Sequence, residues 1–187
     1  MISLSKDYVI DLGCGVESKI AWLLQNGNKV LATDYSDVAI EIATKEFSDE
    51  LANKRLILMR FDMAKMFPIE ENFTDIIIAD LSLHYFTKDV TIKILNEIRR
   101  VLKYNGNLFF RVDSTKDFYF KPTAENLIEE NFIYAKNYKK RFFDEASIFA
   151  FFQKFSIEDL KEETVSIYGD RYNSSKTLFR GHVRNRK

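Results

Sequence analysis

A doubly wound α/β domain built on a mostly parallel sheet is the fold this sequence predicts, and three observations predict it. The first is a short apolar run, Tyr8 to Leu12, that opens through Gly13-Cys14-Gly15 into a helical pattern. The second is repetition of that plan, with apolar runs alternating with helical stretches and with Asp34, Asp62 and Asp80 standing where runs end. The third is Asp75 to Asp80, a nearly continuous β-branched run of the kind found in a central parallel strand buried on both faces. In such sheets ligands bind in the crevice outside the carboxyl ends of the strands, so the residues that follow each run are the candidate site.

The first unit is strand, glycine turn, helix. Gly13 and Gly15 let the backbone turn sharply and approach a ligand where a Cβ would intrude. From Ser18 to Asn26, Ile20, Leu23 and Leu24 share one helical face, and Gly27 suits the helix end. Asn28 to Asp34 is a second strand whose terminal acid lies about 20 residues beyond the glycine turn, where such folds set a carboxylate against ribose hydroxyls. Asp34 is the ribose candidate, since a carboxylate accepts from two vicinal hydroxyls at once. Tyr35 beside it is a candidate for packing on a purine. Ser36 suits an N-cap ahead of a helix with Ala39, Ile42, Ala43 and Phe47 inward.

Arg55 to Phe61 is a third strand, followed by Asp62 and Met63, and Asp75 to Asp80 a fourth. Thr87 is positioned to cap a helix running to about Lys103 with Leu95, Ile98 and Leu102 inward. Asn105-Gly106 turns into a fifth strand, Asn107 to Val112. Between Asp113 and Phe143 regular periodicity is lost, yet the stretch is rich in Phe and Tyr, too many for a solvated linker, and reads as a flap on the substrate side. Asp144 caps a helix carrying Ile148, Phe152 and Phe155 on one face. Two closing strands, roughly Glu158 to Ile167 and Lys176 to Val183, are joined through Tyr168-Gly169-Asp170 to Ser174-Ser175 and read as an antiparallel hairpin at the sheet edge.

Charge narrows the ligand. A dinucleotide loop offers a third glycine and a bare helix start to a pyrophosphate, but here Glu17 holds the third glycine position and Asp11 ends the strand. Two carboxylates beside the turn repel a pyrophosphate and suit a ligand with positive charge, such as a sulfonium or an α-amino group. S-adenosylmethionine has both.

Asp11-Leu12-Gly13-Cys14-Gly15 resembles the first motif of class I S-adenosylmethionine-dependent methyltransferases, and Asp34, Asp62 and Asp80 fall where that family has its later motifs. The resemblance runs from Tyr8 to about Val183. Within the family, Asp80-Leu81-Ser82-Leu83-His84-Tyr85-Phe86, Asp113 to Asp117 and Lys140-Arg141-Phe142-Phe143-Asp144 look like a bacterial subgroup of small methyltransferase-domain proteins of mostly unassigned substrate. It implies a Rossmann-like, seven-stranded sheet with a C-terminal antiparallel hairpin. It implies that Gly13, Cys14 and Gly15 approach the methionyl part, that Asp11 and Asp80 anchor its ammonium side, and that Asp62 and Met63 hold the adenine. Leu81 to Phe86 then border the methyl group. Family members usually carry a helical cover before the first strand. Here that strand begins at Tyr8, so either another segment closes the site, the reading frame is short, or the cofactor is held loosely.

With 187 residues one domain is expected: 1–112 as the cofactor half, 113–143 as the flap and 144–187 as closing helix and hairpin. Lys plus Arg number 28 and Asp plus Glu number 28, so no global basic field is available to hold nucleic acid. A small-molecule acceptor is favoured, the oligomeric state is unreadable, and no run approaches the length that spans a bilayer. A single cysteine, Cys14, and two distant histidines give neither an intramolecular disulfide nor a metal cluster, which points to a reducing cytosol and no metal.

Methyl transfer from a sulfonium needs alignment, exclusion of water and, for some acceptors, a base. His84 is the candidate base, its ordinary pKa lying near neutrality, against a structural or lining role. Tyr85, Asp113, Ser114 and Lys116 are candidates on the substrate side, against packing for Tyr85 and ordinary turn chemistry for Asp113 and Ser114. Lys136, Lys139, Lys140 and Arg141, interleaved with Tyr138 and Phe142, could hold an RNA backbone, against a solvated hairpin face, so the alternatives to a small-molecule acceptor are an RNA or protein methyltransferase using this segment and a non-catalytic S-adenosylmethionine-binding domain. His182 alternates with Arg180 and Arg184 on a predicted edge strand and reads as solvated.

Overall fold

The computed structural model describes residues 7–16, 19–135, 138–167 and 174–187. Along the chain run β1 (Tyr8–Leu12), α1 (Lys19–Gln25), β2 (Lys29–Asp34), α2 (Asp37–Glu46), α3 (Ser48–Ala52), β3 (Leu56–Arg60) and β4 (Thr74–Asp80). A 3₁₀ turn (Leu83–Tyr85), α4 (Lys88–Val101) and β5 (Leu102–Asp113) follow. β6 (Leu127–Glu129), β7 (Phe132–Ala135), β8 (Tyr138–Arg141), α5 (Glu145–Phe151), β9 (Phe155–Ile167) and β10 (Ser174–Asn185) complete it. Seven strands form one sheet in the order β3-β2-β1-β4-β5-β10-β9. β1 to β5 are parallel, and β10 is antiparallel to both β5 and β9. This is the doubly wound α/β fold the sequence predicts, with its terminal antiparallel pair, and chain order reverses between β1 and β4.

Strand alternation sorts side chains into two apolar layers. Ile10, Leu12, Ile77, Leu108, Phe110 and Val112 pack on one face with Ile94, Leu95 and Ile98 of α4, Ile148 of α5 and Phe152 just past its end. Val9, Val30, Ala32 and Leu56 pack on the other with Ile20, Leu23 and Leu24 of α1 and Ala43 and Phe47 at α2. The predicted caps differ in chemistry. Ser36 Oγ accepts from Ala39 N and Asp144 forms a reciprocal capping box with Ser147, whereas Thr87 caps α4 with no side-chain hydrogen bond.

The second layer is narrower than the first, and this corrects the reading of β4. Ile77 and Ala79 are buried but Ile76 and Ile78 are only half-buried, because α1 and α2 sit over β1 to β3. Over β4, β5 and β10 a groove of about 470 Å³ opens beside Trp22, Phe109 and His182. His182 is not a solvated edge residue, since β10 lies inside the sheet and β9 forms the edge. Its ring stacks on Phe109 at 4.4 Å between centroids, and its Nε2 shares a 2.9 Å hydrogen bond with Asn107 Oδ1.

The segment 113–143 is more regular than its sequence suggests. β6, β7 and β8 form a separate antiparallel sheet whose strands, three or four residues long, are too short to print a period. Its two ends meet: Phe143 N donates to Asp113 O at 2.8 Å and Thr115 N donates to Phe143 O at 2.8 Å. Phe132 opposes Arg141 and Ile133 opposes Lys140, and all four are buried. Lys140 and Arg141 are therefore buried, which corrects the solvated hairpin face for these two residues, while Tyr138 and Lys139 stay exposed. Lys140 pairs with Asp113, while Arg141 pairs with Glu129 and donates to the carbonyls of Phe86 and Glu130 at 3.2 and 3.0 Å. Lys136 and the turn 168–173 lie outside the described residues.

Gly181 shows how tightly the first layer closes. A Cβ there would lie 2.2 Å from Cζ of Phe110, whose ring is stacked on Phe152 at 4.3 Å and has no room to retreat. Gly181→Ala is expected to destabilise the fold by about 1–3 kcal/mol, read as a lower urea midpoint. An unchanged midpoint would mean that the Phe110–Phe152 stack is not rigid.

Candidate functional site

The glycine turn is held by its neighbour strand. β1 and β2 run parallel with Leu12 opposite Thr33, so the chain leaving β1 passes the Thr33 carbonyl, which accepts from Gly13 N at 2.8 Å and Cys14 N at 2.9 Å. Asp34 continues the tie: its Oδ2 accepts from Gly15 N and its Oδ1 from Ser36 N, both at 2.8 Å. Gly13 has φ +79° and a Cβ there would meet Ser82 Cβ at 2.6 Å, so glycine is required on both counts. Gly15 has φ +63° and nothing within 4 Å of where its Cβ would be. It faces open space, as a cradle for a ligand must.

That space is a cavity of about 730 Å³ at the carboxyl ends of the first four strands, in the usual size range for small-molecule sites. Its walls are Gly13 to Val16 from the turn, Asp34 and Tyr35 after β2, Asp62 and Met63 after β3, Asp80 to Ser82 after β4, Tyr85, Phe86, Lys19 and Arg111. Leu81 holds φ +53°, an uncommon conformation for a branched side chain, and its N–H donates to Arg111 O at 3.0 Å. Asp62 also orders its own turn, its Oδ1 accepting from Ala64 N at 2.9 Å. Nine residues expected on the cofactor side (Gly13, Cys14, Gly15, Asp34, Tyr35, Asp62, Met63, Asp80, Leu81) thus border one cavity, as does Tyr85.

Asp11 stands behind that wall. It is 2% exposed, and burial raises its carboxyl to about 6, with Lys19 opposing and Asp34 reinforcing the shift. Cys14 is buried and its thiol is pushed up to about 12, first by burial and then by Asp11 and Asp34, so it stays protonated. Glu17 lies outside the described residues.

His84 does not reach the cavity. The 3₁₀ turn sends Tyr85 outward, 49% exposed, and His84 inward, 0% exposed, with both ring nitrogens lacking a hydrogen-bond partner among the described residues. Its Nδ1 is 3.9 Å from Asp113 Oδ1. Burial lowers its pKa to about 3, against the pull of Asp113 and with the push of Lys140 and Lys176. A neutral ring sealed from the cavity is no base for an acceptor there; it supports Tyr85, which sits edge-on to it at 4.4 Å.

Asp113, Ser114 and Lys116 also face away from the cavity. Asp113 pairs with Lys140 and with Lys176 at 2.9 Å, and although burial works to raise its carboxyl, His84 and the two ammoniums hold it below the usual range. Ser114 Oγ donates to Glu162 Oε1 at 2.5 Å, and Lys116 pairs with Glu162. These residues fasten the small sheet to β9 and β10. The cavity's two cations were not foreseen in the sequence. Arg111 carried a signal, a lone charge inside the apolar run Leu108 to Val112; Lys19 carried none. Among the described residues no group of three or more His, Cys, Asp or Glu is placed to hold a metal.

A glycine turn, acids closing three parallel strands and a cavity at the point of strand reversal define an enzyme of the Rossmann-like class that binds an adenosyl cofactor. The sequence matches the methyltransferase-domain family over residues 10–110, and the chain belongs to that family. The fold is similar to that of an S-adenosylmethionine-dependent methyltransferase from Methanosarcina mazei (TM-score 0.80, 16% identity, 98% of this chain and 94% of that one). It is similar to one from Mesorhizobium loti (0.73, 16%, 99% and 94%). It is also similar to the 1,6-didemethyltoxoflavin-N1-methyltransferase of Burkholderia thailandensis, solved with its substrate and S-adenosylhomocysteine (0.71, 16%, 97% and 72%). No curated protein matches the sequence. The chain is a class I methyltransferase and its cofactor is S-adenosylmethionine.

The two buried groups oppose each other in acid. Asp11 binds its proton more tightly folded than unfolded, so its contribution to stability falls as pH rises from about 4 to 6. His84 refuses its proton when folded, so its contribution falls as pH drops from 6.5 towards about 3. Asp11→Asn is expected to raise stability at pH 7 by on the order of 2–3 kcal/mol and to steepen the loss on acidification, measured as urea midpoints from pH 4 to 7. A slope equal to that of the unsubstituted protein would remove the assignment to Asp11.

Proposed function

We propose that this enzyme transfers the methyl group of S-adenosylmethionine to a small-molecule acceptor, within one domain whose residues 1–112 hold the cofactor and whose segment 113–143 shapes the acceptor side. The observation that carries the acceptor class is the fate of the basic residues on that segment. Lys140 and Arg141 are buried and paired, and of the described lysines left outside, Lys139 lies 5.5 Å from the Tyr134 ring and Lys121 3.9 Å from the Phe118 ring. Among the described residues no continuous cationic track remains for a phosphate backbone. Cavity walls of Met63, Tyr85 and Phe86 suit an organic acceptor.

The residues fit the cofactor. Gly13 and Gly15 present bare backbone, Asp34 would have lone pairs left for ribose hydroxyls, and Asp62 would keep Oδ2 for an adenine amino group, with Tyr35 and Met63 lining the same cavity. The three cavity acids, with Asp11 behind them, favour a cation. When bound, the cofactor supplies an electrophilic methyl group on a sulfonium. The protein aligns an acceptor with it and excludes water. Tyr85, whose hydroxyl is held above its ordinary pKa first by burial and then by Asp113, is a neutral donor for orienting that acceptor. No base from this chain is assigned, so an acceptor with its own available lone pair is favoured. The lone cysteine favours the cytosol. Among the described residues no helix is long and apolar enough to cross a membrane.

Calorimetric titration with S-adenosylmethionine and S-adenosylhomocysteine tests the reading. Binding at micromolar levels, about 8 kcal/mol, is expected, and Asp34→Ala is expected to weaken it by tenfold or more. Absence of binding would overturn the proposal. A gel shift with RNA that vanishes as salt rises would transfer the acceptor to the nucleic-acid class.

A further inference from the structure

The groove over β4, β5 and β10 is built from two rows of side chains that strand register sets side by side. Ile78, Phe109 and His182 are direct neighbours across β4, β5 and β10, and Asp159 of β9 ends their row. Two residues along each of the first three strands, on the same face, Asp80, Arg111 and Arg180 form the second row. The first row is aromatic and flat. Phe109 and His182 stack with 15° between their planes, and Asn107 holds the imidazole at Nε2. Trp22 of α1 completes the lining, and with Trp22 62% and Phe109 39% exposed the groove is open among the described residues.

The second row holds more cation than its acids satisfy. Lys19, Arg111 and Arg180 border the groove against Asp80 and Asp159. Asp80 is shared by Lys19 and Arg111. Arg180 meets Asp159 at 3.5 Å and Glu163 at 3.8 Å, both longer than a well-formed hydrogen bond, and Glu163 also pairs with Lys161 at 3.1 Å. Arg180 further stands directly opposite Arg111, an arrangement of like charges that costs stability and that an anion between them would relieve.

We propose that this groove is a second ligand site, separate from the cofactor cavity, that binds a planar aromatic acid with its ring on the Phe109–His182 stack beside Trp22 and its carboxylate on Arg180 and Arg111. Flat aromatic walls favour a flat ring over an aliphatic body of equal size, and a guanidinium offers a carboxylate two parallel donors. A volume of about 470 Å³, apolar below and charged along one side, fits a small molecule rather than a protein surface. Lys19, Asp80 and Arg111 border both spaces, but the aromatic row and Arg180 belong to the groove alone. The inference therefore stands apart from the methyltransferase reading.

Trp22 is the single tryptophan, so its indole N–H gives one resonance that reports on the groove. The isotope-labelled full chain is titrated with 2-naphthoate, with neutral 2-naphthamide and with decalin-2-carboxylate, which keeps the acid and loses the flat rings. 2-Naphthoate is expected to shift that resonance saturably and to bind about fivefold more tightly than either comparison ligand. Arg180→Gln, at an exposed side chain, should abolish the preference over the amide, and Phe109→Leu the preference over the decalin acid. A Trp22 resonance that ignores 2-naphthoate would overturn the proposal. So would equal binding of 2-naphthoate and its amide, which marks an unselective apolar patch, or a resonance that moves with protein concentration alone, which marks a face closed by a second copy. Loss of the shift in saturating S-adenosylhomocysteine would place the probe in the cofactor cavity and overturn it too.

Discussion

The site hangs on one carbonyl oxygen and one carboxylate at the end of β2. Thr33 O takes the first two amides of the glycine turn and Asp34 takes the third. These contacts fix where the chain travels after leaving the sheet, because two glycines in left-handed conformations impose little direction of their own. Two parallel strands in register are needed to deliver both acceptors to one place. The sheet is thus the device that turns a flexible loop into a shaped wall, and Asp34, Asp62 and Asp80 likewise stand at or just beyond the ends of strands.

Electrostatics is handled in opposite ways on the two sides of this wall. Inside the cavity the acids keep open lone pairs or exchangeable partners. Behind it, charges are committed: Asp113 to Lys140 and Lys176, Arg141 to Glu129 and two carbonyls. Removing one partner of such a buried set leaves an uncompensated charge, so these pairs specify geometry more than they add stability. They fix where the segment carrying Tyr138 lies, and Tyr138 meets Tyr85 edge-on at 6.5 Å.

What could be read in advance followed the range of the interactions. Strands β1 to β4, the glycine turn and Asp34, Asp62 and Asp80 were legible because each rests on local pattern or on a spacing imposed by a β-α-β unit. The orientation of His84 was not, since a three-residue turn decides it and no period marks which member points inward. Lys140 and Arg141 were misread for a related reason: on a strand, neighbours face opposite sides, and both being buried requires packing above and below, which only the tertiary structure supplies. Lys19 escaped notice because its partner, Asp80, is 61 residues away.

The small sheet enters and leaves the domain at a single point, where Asp113 and Phe143 share a backbone hydrogen bond. Phe132, Ile133 and Phe142 are buried there, yet they belong to neither of the two apolar layers that flank the large sheet. A unit with its own miniature interior, whose chain leaves and rejoins the large sheet at one point, can change in length there while the frame of β1 to β5 is kept, so long as the anchors of Ser114, Lys116 and Arg141 remain. Lineages sharing this scaffold are therefore able to vary this cassette while keeping the strands that wall the cavity.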